Sequence, residues 1–242
     1  MEAANLRKAR ALFRDEDGIV VPRVYPQFST SRVLTLERLQ GIHLPEFLAG
    51  SPSQQLRNEI GRKMIRAWYR MMYAGRMLYI DMHPGNFLIL DGGRLSVIDF
   101  GLVIPLAGEE WELYRKMDRA LTTGRREDRI AVLKEWNQVR DDETDRLRLF
   151  EEYADTCWRA RYCGGEYDFG NEADFRRAIE LFTEMIRKRY SRSRPNTPSI
   201  ARCQFGWSPL LYQLRAKFDI RELAEAEVKA TGWDRSDYAP ED

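Results

Sequence analysis

Histidine and cysteine are scarce. Only His43, His83, Cys157, Cys163 and Cys203 occur in 242 residues. Two histidines exclude a histidine-rich metal centre. Three cysteines, odd in number and with no C-x-x-C pair, indicate neither a disulfide framework nor a zinc site and favour a reducing compartment. No apolar run approaches the roughly 18 residues of a membrane span. Neither charge is in excess: 39 Lys and Arg face 38 Asp and Glu, so the balance gives no reason to expect a nucleic-acid partner. The opening M-E-A-A-N-L-R-K-A-R lacks the apolar core of a signal peptide and reads as the middle of a helix. The expectation is a cytoplasmic protein, with peripheral contact at a membrane as the variant of that reading.

What is present is a chain 43% hydrophobic and 32% charged, able to bury a sizeable core. Apolar spacing predicts a helix over 2–13, then two β-type runs, Ile19–Tyr25 and Arg32–Glu37, closed by Gly41. Ser51, Pro52 and Gln54 mark a helix start with Ser51 as its cap, and Gly75 marks the stop. Leu56, Ile60, Met64, Ala67, Trp68 and Met71 form the stripe of that helix. Phe87–Leu90 and Arg94–Ile98, joined through Asp91-Gly92-Gly93, form a β-hairpin exposed on the surface. Helical periodicity returns near 108–123, 126–139, 142–162, 172–190 and 209–230, with Trp207-Ser208-Pro209 leading into the last helix. Residues 192–198 read as a Ser, Arg and Pro loop, and residues from Asp234 on as a frayed tail.

The chemistry concentrates in Tyr79-Ile80-Asp81-Met82-His83-Pro84-Gly85-Asn86 and Asp99-Phe100-Gly101. Phosphoryl transfer needs a residue to orient the nucleophile and hard oxygen ligands to hold magnesium against phosphates. An Asp five residues before an Asn, followed by D-F-G, has that order. With Gly92-Gly93 as a two-residue turn, Asn86 faces Asp99 across the hairpin, about 5 Å away as cross-strand partners are. A three-residue turn shifts the register by one and still leaves them neighbours. Asn86 and Asp99 are then candidate metal ligands, and Asp81 points at the terminal phosphate.

D-M-H-P-G-N-F followed by V-I-D-F-G resembles the UbiB/AarF family of atypical protein-kinase-like ATPases. Glu2-Ala3-Ala4-Asn5, Val21-Pro22-Arg23-Val24-Tyr25 and the stretch from Ser29 to Gly41 are similar to that family too, so the resemblance covers about residues 2–105. It implies an α+β, protein-kinase-like fold: a partial N-lobe over 1–41, a mainly helical C-lobe over 42–232 and a tail over 233–242. It implies ATP and Mg2+ as cofactors and a role in ubiquinone biosynthesis. Carried over by position, Glu2 is the helix glutamate that pairs with a phosphate-binding lysine. Glu37 and Leu39 belong to the hinge that grips adenine, and Leu88 is the apolar floor under the base. Asp81 is the catalytic residue, and Asn86 and Asp99 bind metal.

Two departures stand out. Tyr79 occupies the place where the family has a histidine that braces the D-F-G backbone, a task an aromatic ring can take. No glycine- or alanine-rich nucleotide loop, strand lysine or K-x-G-Q helix stands ahead of Glu2, and Lys8 shares its helix. The expectation is therefore a chain that begins inside a kinase fold, turns over little or no ATP by itself, leaves Glu2 facing solvent or disordered, and has an N-lobe supplied elsewhere. Further expected partners are a nucleotide and either a quinone-biosynthesis protein or a lipid surface. Two other readings compete: a small-molecule phosphotransferase of the aminoglycoside or choline kinase type, and a non-catalytic kinase-like remnant. His83 reads as loop-shaping, and Arg187, Lys188, Arg189, Arg192 and Arg194 as a solvated helix end.

Overall fold

A computed structural model describes residues 1–190 and 197–231, with 197–205 given by their backbone alone; the tail expected from residue 233, and Arg192 and Arg194, lie outside the described residues. Two compact units divide the chain, one made of residues 1–106 with 202–216, the other of 107–201 with the chain from Lys217 on.

In the first unit, α1 (Glu2–Arg10) buries Leu6 and Ala9. It ends three residues before the apolar spacing does, because the amides of Leu12 and Phe13 turn to carbonyls three residues back, in the tighter 3-10 manner. The two expected β runs are mostly irregular. Only β1 (Ile19–Val20) is a strand, and the rest is reduced to one isolated bridge, Val24 with Leu36. Pro22 and Pro26 remove the amides a longer ladder needs, and Pro26–Phe28 forms a 3-10 turn instead.

After α2 (Leu44–Ala49), α3 (Gln54–Tyr73) is capped by Ser53 rather than Ser51, the Ser53 hydroxyl accepting from the Leu56 amide at 3.2 Å. Ile60, Met64, Ala67 and Met71 are buried as the stripe requires, whereas Trp68 is half-buried. A short strand β2 (Met77–Tyr79) follows, then the hairpin of β3 (Phe87–Leu90) and β4 (Arg94–Val97), then β5 (Val103–Pro105). β2 and β5 pair antiparallel, Tyr79 opposite Val103. β1 adds to the hairpin in parallel, with Ile19 beside Leu95 and Val20 beside Ser96. The hairpin is therefore not a surface feature: Phe87, Leu95 and Val97 are almost wholly buried.

Its loop has three residues, Asp91–Gly93, since Leu90 pairs with Arg94 and Leu88 with Ser96. Both glycines adopt left-handed φ, 71° and 68°, which Asp91 need not. The register expected from a two-residue turn is thus off by one. Asn86 stands opposite Ile98, whose amide donates to the Asn86 carbonyl at 3.0 Å, and Asp99 lies one residue further on.

The second unit is helical: α4 (Gly108–Thr123), α5 (Arg126–Asn137), α6 (Thr144–Cys163) and α7 (Glu172–Arg187) stand where periodicity put them. The Arg161 guanidinium and Asp118 carboxylate form a buried ion pair at 2.9 Å. β6 (Tyr167–Asp168) precedes α7. The single last helix expected over 209–230 is two. α8 (Thr197–Leu214) carries Pro209 inside it rather than before it. β7 (Lys217–Phe218), which pairs with β6, separates α8 from α9 (Ile220–Ala230). Asp219 starts α9 by accepting from the amides of Arg221 and Glu222, the cap that ends any continuous helix there. No described helix is long and apolar enough to cross a membrane.

Candidate active site

The pairing of β2 with β5 brings the two halves of the motif together. Asp81 follows β2, Asp99-Phe100-Gly101 precedes β5, and the Ile80 amide donates to the Leu102 carbonyl at 3.4 Å. Between them, Pro84–Asn86 winds a single 3-10 turn. His83 is its cap, Nδ1 accepting from the Gly85 amide at 3.1 Å. His83 thus shapes the loop, as its neighbours suggested.

The turn folds Asn86 back onto Asp81. Its Nδ2 donates to the Asp81 carbonyl at 2.9 Å and to Asp81 Oδ2 at 3.0 Å. Both donor hydrogens of the amide are then used, and Asn86 Oδ1 is left as an acceptor. Asp99 has a similar division: Oδ1 accepts from the Gly101 amide at 2.8 Å, and Oδ2 accepts from no described residue. Asp81, Asn86 and Asp99 are each half-buried.

Two side chains fix the Asp99-Phe100-Gly101 turn. Asn5 Nδ2, one turn into α1, donates to the Phe100 carbonyl at 3.0 Å. Tyr79 is wholly buried, and its ring centroid lies 5.4 Å from that of Phe100, within the range of favourable aromatic pairs. Tyr79 therefore braces this turn through its ring. Glu2 is not solvent-facing as expected: it is half-buried, and a β-carbon on Gly101 would lie 3.9 Å from its Oε2. Its position on the first turn of α1 beside Asn5 aims it there. Asn5 was visible only as part of the Glu2–Asn5 stretch, because no spacing rule links it to a residue 95 positions away. Lys63 was missed altogether; its Nζ donates to the Gly93 carbonyl at 2.5 Å and ties the hairpin loop to α3.

Leu88 is half-exposed, opposite the buried Ser96. Gly41 lies against it: a β-carbon there would come 3.2 Å from Leu88 Cβ and 2.8 Å from the Ile89 carbonyl. Glu37 and Leu39 share no hydrogen bond with the candidate residues Asp81, Asn86 and Asp99 among the described contacts. Glu37 Oε2 accepts from the Arg23 amide at 3.0 Å, and both residues line a cavity on which neither Leu88, Asp81, Asn86 nor Asp99 lies.

Among the described residues, no three His, Cys, Asp or Glu side chains converge as a metal cage. Magnesium needs none, since one or two protein oxygens suffice when phosphates supply others. The acceptor oxygens left on Asn86 and Asp99 are hard ligands of that kind, and the donor set fits the ion.

The ABC1 atypical kinase-like domain matches residues 1–133, more than half of the chain. The chain belongs to the UbiB/AarF (ABC1) family of atypical kinases. Membership decides against the aminoglycoside or choline kinase alternative. The mitochondrial atypical kinase COQ8B of Danio rerio is 24% identical over 227 residues, 92% of this chain and 36% of that protein. The atypical kinase COQ8 of Saccharomyces cerevisiae is 29% identical over 119 residues, 48% of this chain and 23% of its own. A Synechocystis protein, slr0889, is 34% identical over 120 residues, 47% of this chain and 29% of its own. The chain thus spans little more than a third of these relatives at most. Rv3197 of Mycobacterium tuberculosis, solved as a complex with erythromycin, superposes with a TM-score of 0.63 at 20% identity over 96% of this chain and 58% of its own. That likeness concerns the fold, which is α+β, kinase-like and mainly helical.

Proposed function

We propose that the chain carries the catalytic loop and metal-binding carboxylate of an ATP-dependent atypical kinase or ATPase that acts with Mg2+. The observation that carries this reading is the Asn86 amide folded onto Asp81, with the Asp99 turn braced by Asn5 and Tyr79. Asp81 is the residue that orients the acceptor. Asn86 and Asp99 hold magnesium, which when bound screens the charge of the phosphates. Glu37 and Leu39 bind adenine through their backbone, Leu88 lies under the base, and Glu2 pairs with a phosphate-binding lysine. Residues 1–41 are the N-lobe part and 42–232 the C-lobe. Because such chemistry rests on positioning and electrostatics, an amide that locks the loop and a turn held from two sides are what the reaction asks of the protein.

The names of the COQ8 relatives support a setting in ubiquinone biosynthesis, with a protein of that route or a lipid surface as partner, in the cytoplasm or peripheral at a membrane. Titration of the chain with a fluorescent ADP analogue, with magnesium and with EDTA, tests the reading. Binding that requires magnesium is expected. Equal binding in EDTA contradicts the assignment of Asn86 and Asp99.

A further inference from the structure

The cavity beside Glu37 and Leu39 has about 410 Å3, a volume typical of small-molecule sites. It lies wholly within the first unit. Arg10, Arg14, Arg38 and Arg94 reach it from α1, the turn after α1, the segment before Gly41 and the start of β4. Most of the lining is polar, and Phe13, Leu39 and Leu90 supply its apolar part.

Three carboxylates also line it, Asp15, Glu37 and Asp91, but not all the arginines are answered by them. Glu37 is engaged by the Arg23 amide and stands 4.0 Å from Arg10, which also donates to the Val21 carbonyl at 2.6 Å. Arg14 is 3.3 Å from Glu16 in an exposed pair. Arg38 makes no hydrogen bond or ion pair with a described residue, and Arg94 uses its Nε alone, on the Asp91 carbonyl at 3.3 Å. Both are exposed. Two guanidinium forks are therefore open beside that apolar part, and such forks match phosphate oxygens in shape and charge.

We propose that this cavity is a second binding site, for a phosphate ester with an apolar body. Arg38 and Arg94 hold the phosphate, while Phe13, Leu39 and Leu90 take the body. The cavity's lining includes the proposed hinge residues Glu37 and Leu39 but not Asp81, Asn86, Asp99 or Leu88. The site thus abuts the proposed adenine hinge and floor without including the residues proposed for catalysis. Leu90 and Leu88 stand two apart on one face of β3, and a β-carbon on Gly41 would meet Leu90 Cδ2 at 2.6 Å as well as Leu88.

Calorimetric titration of the chain with 1-naphthyl phosphate tests this, beside 1-naphthol, inorganic phosphate, and phosphatidylcholine vesicles containing phosphatidic acid. The ester is expected to bind more tightly than either of its parts. Arg38→Ala with Arg94→Ala should weaken it about tenfold or more, the order expected for two lost charge-assisted contacts, and Asp99→Asn should leave it unchanged. Four results overturn the proposal: no binding of the ester, parental affinity in the double variant, loss of binding in Asp99→Asn, or binding to the vesicles alone, which would make a lipid headgroup the source of the phosphate.

Discussion

The side-chain amide of Asn5 donates to the carbonyl of Phe100 at 3.0 Å, joining the first helix to the turn that carries Asp99. The bond is part-buried and joins residues 95 positions apart in the sequence, holding the turn at the residue after Asp99. Asn5→Asp replaces the donor by an acceptor of the same shape. It is expected to cost about 1–3 kcal/mol in stability and to weaken magnesium-dependent ADP binding. Asn5→Ala should do both to a smaller extent. Thermal denaturation and an ADP titration check the two effects together.

Tyr79 packs its ring on Phe100 from the other side. Truncation to alanine removes a wholly buried aromatic, and about 3–5 kcal/mol of stability should go with it. Tyr79→Phe keeps the ring, so its ADP affinity should match the parent. A phenylalanine variant that bound ADP as poorly as the alanine variant would move the role from the ring to the hydroxyl.

Gly41 is held by close approach rather than by dihedral angle. A methyl there meets Leu90 and the Ile89 carbonyl at 2.6 and 2.8 Å, so Gly41→Ala should destabilise by about 1–3 kcal/mol through overpacking. Gly92 is the contrasting case, with φ of 71° and open space around it. Gly92→Ala should cost about 1 kcal/mol, from strain alone. Chemical denaturation of both variants ranks them.

Much of this architecture was legible in the sequence, and the exceptions have identifiable physical causes. Asp81, Asn86 and Asp99 stand out as candidates because the D-x-x-x-x-N and D-F-G spacings are local in the chain. Asn5 does not, since the carbonyl it braces lies 95 positions away, and the bracing role of Tyr79 was readable only through the family resemblance. The hairpin was visible in its apolar runs and glycines, but glycine pairs do not tell a two-residue loop from one that also takes in Asp91. The β runs at 19–25 and 32–37 carry strand-like residues, yet Pro22 and Pro26 withhold the amides. Pro209 looked like a helix start and is instead tolerated inside α8. The missed break after Leu214 depends on Asp219, whose capping role shows only once α9 is seen.

Cysteine reactivity should follow burial. Desolvation pushes the Cys157 thiol up from 9.0 to about 11, partly offset by Tyr153, whereas Cys163 is exposed. Iodoacetamide near pH 8 should therefore alkylate Cys163 well before Cys157, as peptide mapping can show. The raised value also fixes a sign. Below pH 9 the thiol is protonated in both states and costs nothing. Between pH 9 and 11 the unfolded thiol ionises first, so the Cys157 contribution to stability falls as pH rises. A Cys157→Ala variant should lose that part of the pH dependence.

In the proposed function Asp99 holds the metal and Asp81 serves the acceptor. Calorimetry with Mg-ADP on Asp99→Asn and Asp81→Asn separates the two roles, because a metal ligand acts in the ground state and an acceptor-orienting carboxylate acts mainly in the transition state. Asp99→Asn is expected to lose most of the affinity, and Asp81→Asn to keep it within about threefold of the parent. Equal affinities for the two variants would contradict the account.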